Sequence, residues 1–153
     1  MLKLFDALGH TPVGEFLRES TLAFALTESL HLIALSVIGG VVGTVGLSAS
    51  GIMAQRDWAR PLADSLRPLF LAALVAVAVS GLGLVAASPR KYYTNPVFWA
   101  KLELLAIAIL AYALLDRHLA RAGRDRWYWR GAALAVVAAW LSVAIAGRLI
   151  GLI

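Results

Sequence analysis

The stretch LAFALTESLHLIALSVIGGVVGTVGL, Leu22 to Leu47, decides the fold. It is longer than the ~20 apolar residues that a helix needs to cross the hydrocarbon core of a bilayer. Its apolar residues run on without alternation and are rich in leucine and alanine, whereas a half-buried strand would alternate. Glu28 and His31 interrupt the run. An ionisable group at membrane depth costs about 3 kcal/mol or more. Residues at such positions therefore mark a cofactor, ion or substrate site by default. The two stand three apart, about 60° around a helix, so they share one face.

Three similar stretches follow. A second span reads from Leu69 to Ala87. A third opens at Asn95 and Pro96, a capping residue followed by proline at the first helical position, and runs to about Leu115. A fourth runs from Gly131 to the C-terminus. The links GIMAQRDWARPLADSLRP (51–68), SPRKYYTNP (88–96) and DRHLARAGRDRWYWR (116–130) are short. The first half of the last link is expected to prolong the third helix. Short links predict antiparallel neighbours, hence an all-α integral membrane protein, an up-down-up-down four-helix bundle over 21–153. Residues 1–20 set Leu2, Leu4, Phe5, Leu8, Val13, Phe16 and Leu17 among polar residues. They read as a short amphipathic segment in the interface plane, with Thr11 and Pro12 placed to start a second short helix.

Composition agrees. The 153 residues are 61% hydrophobic and 15% charged, against about 25% charged in a soluble domain. The mean hydropathy is +0.80. The lack of cysteine excludes disulfides, thiolate metal sites and thiol catalysis. The three histidines are too scattered for a multi-histidine metal centre, since His118 lies across most of the ~30 Å hydrocarbon thickness from His31. No Gly-rich phosphate loop or Ser/His/Asp set is present. The net charge of +5 reads as basic loops that orient the chain, with no nucleic acid partner. The N-terminus lacks the compact apolar stretch of a secretory signal.

Eight arginines (Arg56, Arg60, Arg67, Arg117, Arg121, Arg124, Arg126, Arg130) lie on the side of the first and third links. Six basic residues (Lys3, Arg18, Arg90, Lys91, Lys101, Arg148) lie on the other. The positive-inside rule then predicts that both termini face outward. Trp58, Trp127, Tyr128 and Trp129 are expected at the inner interface, and Tyr92, Tyr93 and Trp99 at the outer one.

Lys101 and Glu103 fall in the outer part of span three, and Arg148 near the outer end of span four. Three helices thus bring ionisable groups to the level of Glu28 and His31. A charge inside a bundle needs an opposite partner, and Glu28 is the expected acceptor for Lys101 or Arg148. Lys101 and Glu103 point to nearly opposite sides of their helix, so only one of them faces the centre. Gly39, Gly43 and Gly46 project within roughly 60° of Glu28. They form a smooth strip that admits a neighbouring helix or a flat cofactor.

The segments ESLHLIALSVIGG (28–40), LFLAALVAVAVSGLGLVAASPRKYYTNPVFWAKLELLAIAILAY (69–112) and AGRLIGLI (146–153) resemble a bacterial family of small four-span membrane proteins. That family is known only as a domain of unknown function. The most specific parts are Glu28 with His31, the string Tyr92, Asn95, Pro96, Phe98 and Lys101, and the pair Gly147–Arg148. This resemblance implies a multi-pass protein of the bacterial inner membrane. A more distant likeness extends to the copper-resistance protein D membrane domain and to the haem-containing protoporphyrinogen oxidase of bacteria. Both carry a histidine in an early helix and a basic residue opening a later one, as His31 and Lys101 do here.

From the oxidase likeness, His31 is expected as the axial ligand of a haem b iron, with Lys101 and Arg148 on the propionates. Glu28 would relay protons or orient the histidine, Gly39 and Gly43 would seat the ring, and the haem would serve electron transfer or redox chemistry. Haem chemistry needs an axial nitrogen, a dry pocket and charge compensation; a second axial ligand is not evident. The competing reading is a non-enzymatic membrane subunit or small carrier, as a homo-oligomer or part of a larger complex. A third is a structural bundle whose charges only fix helix register. The sequence leaves open whether the protein is an enzyme.

Overall fold

The chain is described by a computed structural model over residues 2–53, 56–121 and 128–150. Its helices are α1 (Leu2–Gly9), α2 (Pro12–Glu19), α3 (Thr21–Ser50), α4 (Ala59–Ala87), α5 (Pro89–Thr94), α6 (Pro96–Ala120) and α7 (Tyr128–Ile150), with a 3-10 turn at Arg56–Trp58. No strand occurs among the described residues. Four of the helices, α3, α4, α6 and α7, are long and apolar enough to cross a membrane. The expected positions Arg124, Arg126 and Trp127 lie outside the described residues.

Local chemistry sets the helix starts. Thr11 caps α2: its hydroxyl accepts from Gly14 N at 3.2 Å and donates to Leu8 O at 2.7 Å. Ser20 caps α3 by accepting from Ala23 N at 3.2 Å. Asn95 caps α6 by accepting from Val97 N at 2.9 Å, with Pro96 at the first helical position. Each cap satisfies a backbone donor that the first helical turn leaves without a partner. Helix α3 stops at Gly51, which takes φ 82°, a left-handed conformation that glycine adopts without steric penalty.

One boundary departs from expectation. The sequence predicts a first link extending to Pro68, yet α4 already runs from Ala59. Ala59 and Ala63 are both buried, one turn apart. Arg60 and Asp64 pair across the next turn at 2.6 Å. Pro61 falls in the first turn, where no backbone donor is required. Pro68 sits inside the helix, where it removes one backbone hydrogen bond. Packing of the small alanines holds the helix through that gap.

The four long helices form an antiparallel ring. Helix α3 packs along α4 on one side and α7 on the other, and α7 packs along α6. Helices α4 and α6, although joined by the short α5, touch sparingly. Their close contacts lie at the end far from α5: Arg67 Nη2 to Asp116 Oδ2 at 2.5 Å, Arg60 Nη1 to Asp116 O at 3.3 Å, and Phe70 against Tyr112 with ring centroids 4.5 Å apart. The expectation that a short link makes close neighbours therefore holds for α3–α4 and α6–α7 and weakens for α4–α6. There the helical turn of α5 stands between the two ends.

The core positions advance by alternating steps of three and four, with half-buried Leu66 filling the step between Ala63 and Phe70. They are Ala34, Ile38, Val41 and Val45 on α3; Ala63, Phe70, Ala73 and Val77 on α4; Ala108, Tyr112 and Leu115 on α6; and Ala133, Val136, Trp140 and Val143 on α7. This is the seam of left-handed knobs-into-holes packing. Trp140 brings its indole N–H into this core without a hydrogen-bond partner among the described residues. At the α5 end, hereafter the cap end, α1 lies on α4 and α5, and α2 lies on α4 and α3. Phe5 of α1 sits among Tyr93, Phe98 and Trp99 at centroid distances of 5.4, 6.4 and 5.9 Å. Trp99 Nε1 donates to Tyr93 O at 3.0 Å.

Candidate functional site

Continuing each core seam by one step toward the cap end reaches a residue that is not a large apolar side chain. On α3 the series 45, 41, 38, 34 leads to His31. On α4 the series 70, 73, 77 leads to Ser80. On α6 the series 115, 112, 108, 105 leads to Lys101. On α7 the series 136, 140, 143 leads to Gly147. With a rise of 1.5 Å per residue, these lie roughly 8 to 15 Å below the cap ends of α3, α4 and α6. The top layer of the core is thus an imidazole, a hydroxyl, an ammonium and a gap.

His31 is buried, with 9% of its surface exposed. Its Nδ1 lies 2.9 Å from Ser80 Oγ. The Ser80 hydroxyl proton is already committed, because Oγ donates to the carbonyl of Ala76 one turn earlier. The tautomer that matches this arrangement carries the ring proton on Nδ1, which donates to Ser80. This assigns Nε2 as the nitrogen with the free lone pair. Gly81 makes the approach of α3 and α4 feasible here: a Cβ at that position would stand 3.2 Å from His31 Cε1.

Lys101 is half-buried and lies over Gly147 of α7, where an added Cβ would stand 3.1 Å from Nζ. Among the described residues no carboxylate pairs with it. Glu103, on the other side of α6, is exposed, as expected for two residues that cannot both face inward.

The remaining expected residues are placed differently. Glu28 lies one step off the α3 seam, where Thr27 takes the inward position, and it is exposed. It forms no ion pair with Lys101 or Arg148 among the described residues. Its carboxylate instead acts on Tyr92 of α5. Burial first, and that negative charge second, push the Tyr92 phenol above its usual range. Arg148 is exposed because its neighbour Gly147 holds the inward position. Gly39 and Gly43 look into open space, with nothing within 4 Å of an added Cβ. Gly46, by contrast, meets Val137 Cγ2 at 2.6 Å and Ala133 O at 3.2 Å. Of the glycine strip, Gly46 is the close-packing position. Gly39 and Gly43 point away from the His31 layer.

Ser80, Gly81 and the α7 gap at Gly147 complete the layer and were not singled out as site residues from the sequence. Ser80 and Gly81 were detectable as a small polar pair, SGLG, within an apolar span. A second polar cluster at the far end was read only as orienting charge. There Asp116 of α6 receives both Arg60 and Arg67 of α4, while His118 stacks on Trp129 at a centroid distance of 3.7 Å. No group of three metal-ligating side chains occurs among the described residues.

The model of a family of unknown function (DUF6644) matches residues 17–153. No curated protein matches the chain, and no solved structure does.

Proposed function

The chain belongs to the DUF6644 family, whose function is unknown, and we propose a role from the chemistry of the polar core layer alone. The protein acts as a non-enzymatic binding protein or small carrier of the membrane. Its layer of His31, Ser80, Lys101 and Gly147 takes the polar head of a small lipophilic ligand. The observation that carries this reading is Lys101, a half-buried ammonium without a carboxylate partner among the described residues. A charge at that depth calls for compensation, and an anionic or strongly accepting ligand group supplies it. His31 Nε2 then accepts a hydrogen bond from the same ligand, with the ring locked by Ser80. The missing side chain at Gly147 is what admits the Lys101 ammonium between α6 and α7.

The test is native mass spectrometry of protein purified in mild detergent, followed by extraction of bound small molecules. A species retained by wild type and lost in Lys101→Met and His31→Leu, with helicity unchanged by circular dichroism, supports the reading. Wild type free of any bound molecule, or equal retention in both variants, overturns it.

One observation favours a second reading, haem b on His31. A histidine whose Nδ1–H is tied to a neighbour presents Nε2 as an oriented ligand nitrogen, and Lys101 suits a propionate. The rest of the expected haem set does not fit this arrangement: Gly39 and Gly43 look away from His31, and Arg148 is exposed. An absorption spectrum after expression with ample haem separates the two. A Soret band abolished by His31→Leu favours haem, and a spectrum without one removes it.

A further inference from the structure

A cleft of about 410 Å³ opens at the cap end between α1, α2 and the corner where α4 turns into α5. Four basic residues, His10, Arg18, Arg90 and Lys91, line it together with Asp6 and Ser88. Arg18, although exposed, is held in place by two backbone carbonyls. Its Nη2 donates to Gly9 O at 2.6 Å and its Nε to Ala87 O at 3.2 Å. One guanidinium thus holds the carbonyl ends of α1 and α4, where a cation is favoured by the helix dipole, and Nη1 remains available. Arg90 stands 3.9 Å from Asp6 and is largely exposed. Gly9 fits the wall closely, since a Cβ there would meet Pro89 Cγ at 2.7 Å.

The depth of the cleft narrows its ligand. Helix α4 has 29 residues, roughly 43 Å at 1.5 Å per residue, against a hydrocarbon core of ~30 Å. The polar start of α4, through Pro68, takes up the excess at the far end. The apolar part from Leu69 to Ala87 is roughly 28 Å long at 1.5 Å per residue, about one hydrocarbon thickness. Ala87 then lies at its edge, where Ser88, Arg90 and Lys91 follow at headgroup level, and the cleft sits beside them. Two arginines and a lysine against one carboxylate leave an excess of positive charge. Arginine is the side chain best matched to phosphate oxygens.

We propose that this cleft, distinct from the His31 layer, binds an anionic phosphate group, carried by a lipid headgroup or by a free phosphate compound. Arg18 forms the fixed contact. Arg90 and Lys91 close over the group from the rim, and Asp6 gives up its hold on Arg90 when the anion enters.

The test uses the full-length protein in detergent. It is mixed with equal amounts of phosphatidylglycerol and phosphatidylcholine of the same acyl chains, and bound lipid is read by native mass spectrometry. Wild type should prefer phosphatidylglycerol. The double variant Arg90→Gln/Lys91→Gln, two exposed residues outside the core, should lower that preference by about fivefold or more. Asp6→Asn should raise it. The far-end double variant Arg117→Gln/Arg121→Gln removes the same charge and should leave it unchanged. Inorganic phosphate added at millimolar levels distinguishes the source. Displacement of the lipid shows that the phosphate group alone suffices, and retention shows that the headgroup is required. Wild type without preference, or equal losses in the two double variants, overturns the proposal.

Discussion

At the scale of single residues, the His31–Ser80 pair tells most. Removing the hydroxyl in Ser80→Ala leaves the His31 Nδ1–H without its acceptor. Hydrogen bonds between membrane helices are worth about 0.6 kcal/mol on average and up to about 1.7 kcal/mol. A loss of about 1 kcal/mol is therefore expected, measured by unfolding in mixed micelles with an increasing fraction of denaturing detergent. An unchanged midpoint would mean that His31 finds another acceptor at no cost. The Glu28–Tyr92 relation makes a second prediction. The Glu28 carboxylate opposes formation of the Tyr92 phenolate, so Glu28→Gln should bring the titration of Tyr92 down toward that of free tyrosine. Carbon-13 NMR of ring-labelled tyrosine reads this. The sign also fixes a stability effect. A phenol raised in the folded state favours that state fully below the ordinary tyrosine range, and the contribution is lost as pH climbs from there through the raised folded value.

At the scale of elements, glycines on one helix have opposite consequences. Gly46→Ala drives a methyl against Val137, whose branched side chain is stiff, and against the backbone of Ala133. A cost of about 1–3 kcal/mol is expected from forcing α3 and α7 apart. Gly39→Ala and Gly43→Ala enter open space and should be neutral or stabilising by up to about 1 kcal/mol, through helix propensity alone. The same micelle unfolding assay compares the three. The α4–α6 contact makes the other prediction at this scale. Asp116→Asn removes the negative charge shared by Arg60 and Arg67. These groups are partly exposed, so the loss of stability should be about 1 kcal/mol or less and should fade at high salt. The sharper readout is geometric: spin labels on the far ends of α4 and α6 should move apart in the variant.

For the whole molecule, the distribution of burial suits a bundle immersed in lipid. Leu26, Ile33, Val79, Leu110 and Ile145 are each about 60% exposed and lie on four different helices. A soluble domain does not present apolar surface on every side. Nitroxides at these positions, in protein reconstituted into phospholipid vesicles, should be accessible to oxygen and shielded from a water-soluble nickel chelate. Those at Val13 and Phe16 on the outer face of α2, both exposed, report whether the cap rests in the interface. Polar accessibility at the span positions would contradict the membrane reading.

Much of this architecture was legible without coordinates, because the forces behind it are local. Continuous apolar runs longer than a bilayer crossing fix the four spans. Thr11, Ser20 and Asn95 cap their helices through hydrogen bonds to backbone only two or three residues away. The opposite facing of Lys101 and Glu103 follows from helical pitch. What only the tertiary structure decided involves partners distant in sequence. Whether Glu28, Lys101 or Arg148 turns inward depends on a gap on the facing helix: Gly147 admits Lys101 and displaces Arg148, while Thr27 takes the inward place beside Glu28. The early start of α4 depends on buried alanines, and the use of Arg60 and Arg67 depends on Asp116, 56 and 49 positions away. Hydrophobic length and backbone capping are properties of a segment. A polar layer is a property of four segments at once, and its members become identifiable when packing sets their registers side by side.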